Sequence, residues 1–173
     1  MERDFPSGQV TLVFTDIEGS TKLLHELGPG AYATALAEHR RLLRDSFGRH
    51  GGVEVDTQGD AFFYAFADAR EAVTAADEGR EALRSGPIHV RVGIHTGTPH
   101  LGDDGYVGED VHMGARIGAA GHGGQVLLSD EARRSARLLE AMPNALVTNT
   151  DVGAASIDQP TTRRENTSST TEQ

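Results

Sequence analysis

No cysteine occurs in the 173-residue sequence, which excludes disulfides and thiolate metal sites. Tryptophan is also absent and aromatic residues make up only 5%, too few for a stacking platform that would hold single-stranded nucleic acid. No apolar run approaches the length of a membrane span, and Met1 to Pro6 lacks the apolar core of a secretory signal. A soluble, cytoplasmic protein without a membrane partner is expected. Positive charge is scarce: 16 Lys and Arg stand against 26 Asp and Glu, giving a formal net charge of −10. The acids are scattered, so clustered cations that would displace counterions from nucleic acid, or hold an anionic membrane surface, are missing. What remains is 37% hydrophobic and 24% charged, the balance of one ordinary globular domain.

Gln9 to Asp16 is short, apolar and β-branched, the pattern of a buried strand, and Ile17-Glu-Gly-Ser-Thr21 turns it into a helix. That helix runs to Leu27 and is closed by Gly28-Pro-Gly30. A second covers Ala31 to His50, with Leu36, Leu42, Leu43 and Phe47 on its apolar face. Val53–Val55 and Ala61–Phe66 read as strands joined by a tight hairpin at Asp56-Thr-Gln-Gly59. Asp68 caps a helix to about Arg84, Ile88–His95 alternates as a half-buried strand, and Leu101–Gly105 reads as a loop. A helix from Glu109 to about Ala120, a strand at Gln125–Ser129 and a helix from Asp130 to Ala141 follow. The first six elements, with the two early helices counted together, match an α+β, ferredoxin-like βαββαβ core, an antiparallel sheet with helices on one face. Residues 1–143 form this domain. Residues 144–173 are rich in Thr, Ser and Asn without apolar periodicity, and a disordered tail is expected.

In such a sheet the strands ending at Asp16 and starting at Asp60 are neighbours. Two carboxylates with backbone carbonyls nearby suit Mg²⁺ or Mn²⁺, and the helix start after Ile17 offers free N–H groups and a positive dipole end to phosphate. Metal beside an anion cradle indicates phosphoryl-type chemistry. Taken singly, Asp16 is equally a helix-capping acid and Asp60 a turn residue; their joint placement is what favours the metal. The eight histidines include His89, His95, His100, His112 and His122, but no HxxH or HExxH pair on one helix, so a zinc enzyme is rejected.

Phe14-Thr-Asp-Ile-Glu-Gly-Ser-Thr21, Gly59-Asp-Ala-Phe-Phe63, Gly93-Ile-His-Thr-Gly97 and the stretch from Tyr106-Val-Gly108 to Ala115-Arg116 resemble, in order and spacing, the class III nucleotidyl cyclase catalytic domain of actinobacterial type. The resemblance covers about residues 8–142. It implies a head-to-tail homodimer with both active sites at the interface and ATP or GTP as substrate. One chain would hold two metal ions through Asp16, Asp60 and the Ile17 backbone. Glu18, Gly19, Ser20 and Thr21 would lie by the phosphates. The other chain would supply Arg116 against charge developing on the α-phosphate.

Several positions depart from the family pattern. His112 stands where an asparagine orients the ribose; it still donates a hydrogen bond but is larger and can carry a proton. Asp56 and Gly105 replace the lysine and aspartate that select adenine. Asp56 can accept from guanine N1–H and N2–H₂, or it merely starts an Asx-type turn; purine choice stays open. Nothing after Pro143 resembles the final hairpin with its triphosphate-binding lysine, as expected of a C-terminally truncated or divergent domain. Two functions therefore stand side by side: a weak metal-dependent cyclase, and a degenerate homology domain that binds nucleotide or dimerises without turnover.

Overall fold

The computed structural model describes residues 4–136; the tail expected from Asn144, and the end of the helix expected to reach Ala141, lie outside the described residues. The strands are β1 (Val10–Ile17), β2 (Val53–Gln58), β3 (Ala61–Phe66), β4 (Val90–Gly97), β5 (His100–Gly102), β6 (Gly105–Val107) and β7 (Val126–Leu128). The helices are α1 (Ser20–Leu27), α2 (Pro29–Arg49), α3 (Ala69–Leu83), α4 (Glu109–Ala120) and α5 (Asp130–Ala136). The main sheet has the order β2-β3-β1-β4-β7. Its first four strands are antiparallel neighbours in the ferredoxin-like order, and β7 adds a parallel edge strand beside β4.

Strand β1 is central because it can be buried on both sides. Val13 and Ile17 face the layer of α2, α3 and α5, where Leu43, Phe47, Phe62, Tyr64 and Phe66 complete the main core. Val10, Leu12 and Phe14 point the other way, toward Ala65, Phe63, Val55 and Tyr106. This period-two division is the pleat itself. Helix α3 starts where predicted: Asp68 accepts the amides of Arg70 and Glu71 and satisfies two of the free donors at the helix start.

The helices of the βαββαβ core lie on one face as expected, but α4, which follows that core, packs on the opposite face. It approaches β1 and β4 closely at glycines. A Cβ on Gly93 would fall 2.1 Å from the Gly118 nitrogen, and one on Gly114 would fall 2.6 Å from the Phe14 ring. Two local readings change. The Leu101–Gly105 segment is not simply a loop; it is the turn of a small hairpin, β5 against β6. The hairpin expected at Asp56–Gly59 turns later, because β2 continues through Gln58 and only Gly59, at φ 62°, and Asp60 make the turn.

Candidate active site

The antiparallel register sets Thr15 opposite Phe62, so Asp16 and Asp60 lie at the same end of neighbouring strands. The turn carrying Asp60 is clamped from above: the Arg40 guanidinium of α2 donates to the Gly59 carbonyl. Oδ2 of Asp60 is buried and has no hydrogen-bond donor. Nearby, burial and the charge of Asp60 push the Tyr32 hydroxyl above its ordinary range, while Ser20 donates to it and opposes the shift. A buried carboxylate oxygen without a donor is costly unless a cation stands beside it. That orphaned oxygen is what fits a metal ion here. Among the described residues no three His, Asp or Glu are placed to hold one metal ion, so further ligands would come from main chain, water and substrate, as is usual for Mg²⁺.

Asp16 has a partner that the sequence did not reveal. Arg91, directly across on β4, donates to its Oδ2 from Nη2 at 2.6 Å and Nε at 3.1 Å, and its Nη1 reaches the Ala119 carbonyl of α4 at 3.1 Å. A guanidinium fork thus ties the first aspartate to the end of α4. The Ile17 side chain is 3% exposed and anchored in the core, and its backbone stands opposite Val90 at the end of the β1–β4 register.

Beyond Ile17 the chain turns through Gly19 in the left-handed region, φ 68°, into Ser20 and Thr21 of α1. This helix has no side-chain cap and no acid in its first turn, so its leading amides are open to an anion. The Glu18 side chain is engaged elsewhere. It accepts the Gly123 amide at 2.8 Å and pairs with His122 Nδ1 at 3.1 Å, and these two bonds hold its carboxyl below the usual range.

Beside the aspartates, under α4, runs a groove of about 680 Å³ lined by Phe14, Phe63, Val55 and Tyr106 and edged by Asp16, Asp56 and Asp104. Asp56 is half committed to its own strand: its oxygens accept the Thr57 amide and the Gln58 side chain, both at 2.8 Å. Gly105 does not line this groove. It is buried at φ 117°, where a side chain would also press Val55, and the carboxylate facing the groove is Asp104, one residue earlier. His112 and Arg116 are exposed on α4, on the turns between the groove-lining Val111, Ala115 and Ala119. Within one chain they are therefore not gathered with the aspartates.

The fold is that of an α+β domain in which strand-end carboxylates flank an open helix start. A family model for the adenylate and guanylate cyclase catalytic domain matches residues 4–81. A Trypanosoma brucei adenylate cyclase solved in its monomeric state is 30% identical with a TM-score of 0.69, over 76% of this chain and 78% of that one. The chain belongs to the adenylate and guanylate cyclase catalytic-domain family. An uncharacterized protein of Mycobacterium tuberculosis is 40% identical over 127 residues, which are 72% of this chain and 44% of that protein. The adenylate cyclase of Lachancea kluyveri is 33% identical over 157 residues, covering 73% of this chain and 8% of the enzyme. This chain thus spans less than half the length of these two relatives. Among the described residues no helix is long and apolar enough to cross a membrane.

Proposed function

We propose that the chain is a metal-dependent nucleotidyl cyclase, acting on ATP or GTP as a head-to-tail homodimer. The observation that carries this is the division of the site within one chain. Asp16 and Asp60 stand at the same end of neighbouring strands and the open start of α1 follows directly after Asp16, while His112 and Arg116 are exposed on α4. A second copy would bring those outward groups to the first copy's aspartates.

In the reaction the ribose 3′-oxygen attacks the α-phosphorus in line. The bond from that phosphorus to the β-phosphate oxygen breaks, pyrophosphate leaves, and the 3′-hydroxyl proton passes to solvent. Asp16, Asp60 and the Ile17 main chain would hold the ions. Two bound divalent cations would acidify the 3′-hydroxyl and neutralise the β- and γ-phosphates. The α1 amides would cradle the triphosphate, the partner's Arg116 would meet charge on the α-phosphate, and His112 would orient the ribose. The carboxylates of Asp56 and Asp104 at the groove edge match the N–H groups of guanine better than the N1 acceptor of adenine.

The alternative, a domain that binds nucleotide or dimerises without turnover, is favoured by His112 in place of asparagine and by the local bonds of Asp56. Purified chain incubated with Mn²⁺ and ATP or GTP, with Asp16→Ala as control, separates the two. Cyclic nucleotide and pyrophosphate in equal amounts, absent from the control, support the cyclase; nucleotide binding without cyclic product supports the alternative. GTP should be preferred over ATP, and Asp56→Lys should erode the preference; an unchanged ratio would make Asp56 a turn residue only.

A further inference from the structure

Outside the groove, a buried chain of hydrogen bonds runs from α5 through β4 to α4. His95 is 5% exposed and Ser129 fully buried. Ser129 Oγ accepts the Ala132 amide at 3.1 Å and lies 2.9 Å from His95 Nδ1; His95 Nε2 lies 3.0 Å from Asp110 Oδ1. Asp110 Oδ2 accepts the Thr98 amide at 3.0 Å. An arrangement that satisfies these groups has Ser129 donating to Nδ1 and His95 donating from Nε2 to Asp110. Gly97 makes room for this, since a Cβ there would fall 2.3 Å from the Asp110 carboxyl carbon.

The contact matters because it adds a directional anchor at an end of α4 that otherwise packs through Val111 against the cluster of Val10, Leu12, Ala65 and Tyr106. Its N-cap is Gly108, with no side-chain cap bond. Its inner face is a seam of glycines against Gly93 and Phe14, where side chains do not interdigitate as ridges in grooves. The far end is tied separately, through Arg91 to Ala119. His112 and Arg116 sit between these two anchors.

We propose that Asp110 is a positioning residue. By clasping His95 and Thr98 it fixes the first two turns of α4, and so the aim of His112 and Arg116 into the site of a second copy. The catalytic part of this rests on the cyclase reading above; the anchoring part does not.

Three measurements test it. Asp110→Ala should lower kcat at least tenfold with little change in KM, since aim and not substrate capture is lost. Asp110→Asn should stay within about threefold of wild type, because its amide can donate to Nε2 once His95 moves its proton to Nδ1 and donates to Ser129. Nitrogen NMR of His95 should show that tautomer change. Equal damage from both variants would overturn the bonding role. In dimers mixing Asp110→Ala with Asp16→Ala, one site is whole, so about half of wild-type activity should return. Pairing Asp110→Ala with Arg116→Ala should return almost none. Failure of the first mixture would make Asp110 a general folding residue and overturn the proposal.

If wild type makes no cyclic product, the cyclase reading fails and hydrogen exchange decides the anchoring. Asp110→Ala should speed exchange at least tenfold in residues 109–116 and at Thr98, with β1 and α3 unchanged. Unchanged protection of α4, or equal loss throughout the chain, would overturn it.

Discussion

On one face of the sheet Phe47 meets Tyr64 and Phe66 edge to face, with ring centroids 4.7 and 6.0 Å apart, beneath α2 and α3. On the other face α4 lies against bare backbone at Gly93 and Gly118, and a groove edged by three aspartates stays open beside it. The first face is filled with large interlocking side chains. The second gives up packing volume to bring a helix close and to keep room for a ligand. The difference implies that stability and chemistry are separable by face, and substitutions can test that separation.

The largest effect is expected on the covered face. Phe47→Ala should cost about 3–5 kcal/mol in chemical denaturation, because a fully buried ring leaves a cavity. If metal binding falls by as much in the fraction that stays folded, the faces are not separable. Next comes Asp60→Ala on the open face: Mn²⁺ binding, followed by electron paramagnetic resonance, and activity should drop about a hundredfold. Stability should be unchanged or raised, since a buried oxygen without a donor is removed. A clear loss of stability would give Asp60 a structural role instead.

His39 sharpens the comparison through pH. It is fully buried in α2 against Phe62, and neither ring nitrogen has a well-placed partner among the described residues. Burial, helped by the neighbouring Arg40 charge, lowers its pKa to about 4 from 6.5, with only a weak opposing pull from the Leu36 carbonyl. The unfolded chain then takes up the proton first. Stability is full above pH 6.5 and falls between 6.5 and about 4, by about 3 kcal/mol at most. His39→Leu should flatten denaturation curves across that window; an unchanged slope would show that other groups carry it.

The smallest effect has the opposite sign. His50 joins the end of α2 to Glu71 and Glu78 of α3, at 2.6 and 3.1 Å, and these carboxylates raise its pKa. Its contribution is present at pH below the ordinary histidine value and fades as pH rises through the raised one. Both glutamates are nearly half exposed and screened by solvent, so His50→Gln should cost only about a few tenths of a kcal/mol at pH 6 and nothing at pH 9.

Much of this was legible before any coordinates. Alternation and β-branching located β1, β3 and β4, and Asp68 announced α3, because these signals are local and periodic. That the strands carrying Asp16 and leading from Asp60 are neighbours follows from strand order alone. Three features had no local signal. Strands β5 and β6 have three residues each, too short for a period to register. Helix α4 meets the sheet through Gly114 and Gly118, which carry no hydrophobic stripe. Arg91 reads as a solvent-facing residue of a half-buried strand, and its partner Asp16 is 75 residues away. Asp104 and not Gly105 borders the groove, because register in a tight hairpin decides which side chain faces it.

The central place of β1 also sets an order in time. Val10 to Ile17 is made early, yet its neighbours are β3, where Thr11 meets Phe66, and β4, where Val10 meets Gly97. During synthesis this central strand must wait, unpaired on both edges, until those later segments emerge from the ribosome. Loop closure over such separations is slow relative to helix formation. Helices α1 and α2 follow β1 directly and are made before either of its sheet neighbours. The nascent chain is therefore most vulnerable to aggregation before β3 has been made, and a pause in translation before Ala61 would lengthen that exposure.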